Sequence, residues 1–94
     1  MKCGLYSTLF TVHLNDFSLS MSEKRYKAEL KALGKRIQEI RIEQGLVQLD
    51  LEVRTGISRS DISKIENGKS NVEFMTLVKI AEALAIELVD LFRP

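Results

Sequence analysis

Three glycines, Gly45, Gly56 and Gly68, cut the middle of this chain into stretches of only ten or eleven residues. Glycine accepts the left-handed backbone that ends a helix, so glycines spaced through a helically periodic sequence read as helix ends. Helices of two or three turns are not stable alone in water. A chain divided this way folds only by packing its short helices on one another. The apolar residues fit that expectation. Tyr26, Leu30, Leu33, Ile37 and Ile40 step by four and three along one face, which predicts a first helix capped by Ser22 and running to Gln44. Gln48 to Thr55 is a second, stopped by Gly56. Ser58 opens a third through a Ser-x-x-Asp pattern with Asp61, and Gly68 closes it after Asn67. Phe74 to Leu84 is a fourth, with Phe74, Leu77, Val78, Ile80, Ala81 and Leu84 as its buried stripe. Glu87 to Phe92 is a short fifth. The expected core is Leu33, Ile37, Ile40, Leu51, Ile57, Ile62, Ile65, Leu77, Ile80, Ala81 and Leu84.

The period differs before residue 20. Tyr6, Phe10, Val12 and Leu14 interleave with Ser7, Thr11 and His13, a strand-like alternation that Leu5 and Leu9 interrupt. The chain is therefore expected to divide into an extension, residues 1–20, and a helical domain, residues 21–94. The extension is either a strand-like arm for a partner or a poorly ordered segment, and Met21-Ser22-Glu23 has the look of a natural start. A length of 94 residues leaves room for one small core. No apolar run reaches the roughly 20 residues of a membrane span. One cysteine, Cys3, and one histidine, His13, supply neither a disulfide nor a metal cluster, which fits a reducing, cytoplasmic setting without cofactors. There is no G-x-S-x-G, phosphate loop or paired-cysteine motif, so an enzyme is not expected.

Charge is near balance overall, with 14 basic and 13 acidic side chains, which excludes a non-specific polycation but not a local basic patch. The segment from Gln48 to Gly68 is a short helix, a glycine turn and a capped helix, the pattern of a helix-turn-helix. Around it, "RIQEIRIEQGLVQ", "TGISRSDISKIENGKSN" and "TLVKIAEALAIELVDLF" resemble, in order and spacing, the lambda-repressor-like helix-turn-helix family of Cro and CI repressors. The resemblance covers about residues 33–92. It implies an all-α, compact five-helix DNA-binding domain that regulates transcription, usually as a homodimer on a near-palindromic double-stranded operator.

On the third helix, about residues 58–67, Arg59, Ser60, Ser63 and Lys64 fall within one arc of about 140°, opposite Ile62 and Ile65. By itself such an arc is what any solvated helix face offers. With the resemblance it becomes the set expected to face bases, Arg59 foremost, since arginine can donate two parallel hydrogen bonds to guanine. Lys64 has a phosphate as its alternative. The resemblance assigns Gln48, at the start of the second helix, to a backbone phosphate. Lys69 and Asn67 are similar phosphate candidates, Asn67 having the alternative of only holding its turn. Arg41 and Glu66 match a family arginine–glutamate pair that is structural, fixing how the third helix is presented. Gly56 is structural too.

Three positions depart from the family pattern. Val47 stands where a capping Ser, Thr or Asn is usual, Glu52 replaces a small residue between helices two and three, and Ala85 replaces a helix-ending glycine. Glu52 is expected to reach solvent or a partner such as Arg54. Leu88, Val89, Leu91 and Phe92 cannot all face one core from so short a helix, so they are expected to form a dimer interface. The alternative is that Leu88 and Phe92 merely seal the bundle. A different function on the same fold is also open: an antitoxin or other protein-binding module, with a toxin as partner.

Overall fold

The computed structural model describes the backbone from Leu19 to Arg93; the expectations for residues 1–18 lie outside the described residues. Four α-helices follow in order: α1 Leu19–Glu43, α2 Gln48–Thr55, α3 Arg59–Glu66 and α4 Phe74–Ala83, then a 3₁₀ turn, Leu88–Phe92. No strand occurs among the described residues. The fifth helix expected at the C-terminus is that 3₁₀ turn. The first helix is longer than expected: Ser22 lies inside α1 rather than at its cap, and the division drawn at residue 20 falls within a continuous helix.

The core is aliphatic. Ile37, Leu51, Ile62, Ile80, Leu84 and Leu91 are fully buried, with Leu33, Ile40, Ile65, Leu77 and Ala81 beside them, while Ile57 and Leu88 pack on the edge. α1 lies on α3 and on the C-terminal turn, and α2 lies between α3 and α4. Two expected core stripes are trimmed. Tyr26 is exposed and Leu30 half-buried, because α1 runs past the elements it packs against. Phe74 and Val78 are exposed too, since α4 meets its neighbours only along the stripe of Leu77, Ile80, Ala81 and Leu84.

Close approach of α1 to the end of α3 depends on missing side chains. A Cβ at Gly34 would collide with the carbonyl oxygens of Ile65 and Glu66, and one at Gly68 would sit 2.8 Å from the Lys31 Cα. The backbones thus touch where α3 leaves the core.

Candidate nucleic-acid interface

The two short central helices are held at each end by specific hydrogen bonds. Val47 offers no side-chain acceptor to α2, but the Asp50 carboxylate reaches back and accepts the Val47 backbone N–H at 2.8 Å, which supplies half of a capping box. α3 starts at Ser58, whose Oγ accepts the Asp61 N–H at 3.1 Å. Its first N–H, from Arg59, is donated to Glu52 Oε1 at 2.9 Å. The partner of Glu52 is therefore the free N-terminus of α3, not Arg54. A carboxylate there suits the positive end of the helix. Arg54 instead donates to the Ala83 carbonyl at 2.9 Å. The position expected to crowd the helix pair ties it together.

α3 buries Ile62, Ile65 and Glu66 and turns Arg59, Ser60, Asp61, Lys64 and Asn67 to solvent, with Ser63 half-buried. The exposed face thus offers a guanidinium, hydroxyls and an ammonium on a helix fixed from behind. Asp61 shares it, its backbone engaged by Ser58. Asn67 folds back: its Nδ2 donates to the Ser63 carbonyl at 2.8 Å, the geometry of a residue that holds the helix end. The same Nδ2 also donates to Ser63 Oγ at 3.4 Å. Lys69, just past the turn, is exposed.

Behind this face lies a buried ionic network. Arg41 Nε donates to Glu66 Oε2 at 2.7 Å and Arg41 Nη2 to Oε1 at 3.0 Å, a two-pronged fit of guanidinium to carboxylate. Arg41 Nη1 donates to the Leu46 carbonyl at 2.8 Å. Both residues are more than nine-tenths buried, and among the described residues no buried side-chain nitrogen or oxygen lacks a partner. The network ties the end of α1 and the loop before α2 to the end of α3.

Gln48 joins it, which its assignment to a phosphate does not anticipate. Its Nε2 donates to Glu66 Oε1 at 3.0 Å, and the amide has a second hydrogen to offer another acceptor. No signal in the sequence marks this bond; the residues are eighteen apart.

At the C-terminal end the four expected interface residues separate. Leu91 is fully buried and belongs to the core of the single chain, so it leaves the proposed contact surface. Leu88 is half-buried, while Val89 and Phe92 are 49% and 58% exposed. The seal is made by Leu88 and Leu91, not Phe92. The turn is docked on α1 by Arg36, whose Nε donates to the Asp90 carbonyl at 3.1 Å.

Two short helices joined at Gly56, with a polar exposed face on the second and a capped, ionically braced back, define a helix-turn-helix. The model of the family described as "Helix-turn-helix domain" matches residues 34–93, and the chain belongs to that family. It is 36% identical over 64 residues to an uncharacterized HTH-type transcriptional regulator, y4dJ, of Sinorhizobium fredii, across 68% of this chain and 83% of that protein. Among solved structures it is similar to the restriction-modification controller protein C.AhdI from Aeromonas hydrophila. That match has a TM-score of 0.68 and 38% identity, over 69% of this chain and 98% of the other. It is also similar to the controller protein C.Esp1396I, solved as a tetramer with its natural 35 base-pair operator. There the TM-score is 0.63 and the identity 32%, over 67% of this chain and 83% of the other. This chain is a helix-turn-helix DNA-binding regulator of transcription.

Proposed function

We propose that the protein binds operator DNA as a two-fold dimer, laying α3 in the major groove with Arg59, Ser60, Ser63 and Lys64 toward the bases. Gln48, Lys69 and Asn67 meet phosphates on either side. The observation that carries this reading is the arrangement of α3 itself. Its polar face is exposed while Glu66, on the buried flank next to Arg59, is fixed by Arg41 and Gln48, so the donors are presented by a rigid helix. A guanidinium at the start of such a helix reaches guanine O6 and N7, and phosphate contacts hold the register without reading sequence. The likeness to controller proteins supports control of restriction–modification genes as the regulatory setting, in the cytoplasm.

Among the described residues no group of acidic, histidine or cysteine side chains is arranged to hold a metal. No described helix is long and apolar enough to cross a membrane. Selection of bound duplexes from a random pool at low salt tests the proposal. It should return a near-palindromic site whose affinity falls steeply with salt. Gln48→Ala should weaken binding to all sequences evenly. A pool with no enriched sequence would remove the proposal.

A further inference from the structure

α1 carries a charged feature that the recognition helix does not account for. Lys24, Lys27, Lys31 and Lys35 fall within an arc of about 80° at 100° per residue, and all four are exposed. No carboxylate shares that arc. Glu29 and Glu43 lie well away from it, while Glu23 and Glu39 each sit about 40° outside the arc, one at either edge. Glu29 pairs with Arg25 at 3.8 Å. Among the described residues no carboxylate lies within ion-pair distance of the four lysines.

The stripe has a definite place in the fold. It borders the flank of α1 that meets α3, where Gly34 touches the Ile65 and Glu66 carbonyls. Lys24, Lys27 and Lys31 lie away from Arg36, which holds the C-terminal turn, while Lys35 borders the groove that Arg36 and Phe92 line. The Lys31 backbone abuts Gly68, and Lys69 follows at once, so the lysines continue the basic edge formed by Lys64 and Lys69. From there they run outward along turns of α1 that bury little: residues 21–29 are exposed throughout. Within the stripe Lys27, Lys31 and Lys35 repel one another at four-residue spacing, with Glu23 and Glu39 only at the two ends of that row. A polyanion relieves that repulsion.

We propose that this stripe is a phosphate track engaging duplex backbone beyond the segment read by α3. The inference rests on the DNA-binding reading above. Successive lysines rise by about 4.5–6 Å along the helix, and their long, flexible stems let each ammonium find a separate phosphate oxygen. Such pairings add affinity and salt dependence without adding sequence preference.

The test compares wild type with the Lys24→Gln, Lys27→Gln, Lys31→Gln, Lys35→Gln variant, which keeps good helix formers on an exposed face. Far-UV circular dichroism confirms equal helix content. Binding is followed by fluorescence anisotropy on the selected site trimmed to its minimal length, on the same site within a 40 base-pair duplex, and on a random 40 base-pair duplex. The variant should match wild type on the trimmed site. It should bind both long duplexes at least about tenfold more weakly at low salt, with a log–log salt slope shallower by about 0.9 for every phosphate it no longer neutralises. Sequence preference should not change. Equal affinities and slopes on the long duplexes would overturn the proposal. So would a variant that loses only binding to vesicles rich in phosphatidylserine while its DNA binding is intact. A wild-type protein with no preferred sequence would overturn the DNA reading itself, an outcome visible without the variant.

Discussion

Arg41 and Glu66 set the strictest residue-scale constraint. Two charges have been taken out of water, and their hydrogen bonds to each other, to Leu46 and from Gln48 are what make that tolerable. Arg41→Met should therefore lower stability by about 3–5 kcal/mol, since it leaves the Glu66 carboxylate buried with one remaining partner. The Arg41→Met, Glu66→Leu double variant should lose less than the sum of the singles in urea denaturation; additive losses would mean the pair is not coupled. Ala85 is the opposite case. It adopts φ +57, with its own N–H bonded to the Glu82 carbonyl and the Ile86 N–H to the Ala81 carbonyl, a Schellman ending made without glycine. The left-handed conformation costs alanine about 1–2 kcal/mol, of which glycine returns part as unfolded-chain entropy. Ala85→Gly should raise stability by about 0.5–1 kcal/mol, seen as a higher denaturation midpoint with an unchanged slope.

Among the elements, α2 and α3 are the most legible in the sequence. Gly56, Ser58 and Gly68 are local signals that act within a few residues of the helix ends they mark. The brace between these helices is less legible because its partners are distant in the chain. Glu52 meets the Arg59 N–H seven residues away, across the turn, and no periodicity encodes that. The Arg41–Glu66 pair, twenty-five residues apart, is readable only through the family resemblance. The outer stripes of α1 and α4 mislead for another reason: apolar spacing gives the direction of a helix face but not how far the neighbouring helix covers it. Tyr26, Phe74 and Val78 sit on the correct lines and remain exposed. α2 also shows a correctable defect, because Asp50 caps the Val47 N–H but nothing on Val47 caps the helix. Val47 is exposed and already has the extended backbone of a cap residue, so Val47→Ser should add about 1 kcal/mol of stability, measured by thermal and urea unfolding.

For the whole molecule, the apolar surface near the C-terminus is the feature a lone chain leaves unfinished. Val89 and Phe92 are exposed, and Phe92 lines an open groove with Tyr26 and Leu30 between α1 and the turn. In the proposed dimer a second copy buries that surface, and operator binding requires the two α3 helices to stand about 34 Å apart, to match successive major grooves on one side of a duplex. Val89→Glu should then give a folded monomer in sedimentation at tens of micromolar, with much weaker operator binding. A wild-type monomer at that concentration would remove the dimer from the account. The central claim, that α3 reads bases with Arg59 at its head, is tested most directly by parallel selections of bound duplexes with wild type and Arg59→Ala. The variant should recover the same near-palindromic site with preference lost at one base pair in each half-site, and should bind the wild-type site more weakly by about 1–3 kcal/mol for each half-site. An unchanged motif at unchanged affinity would contradict the claim.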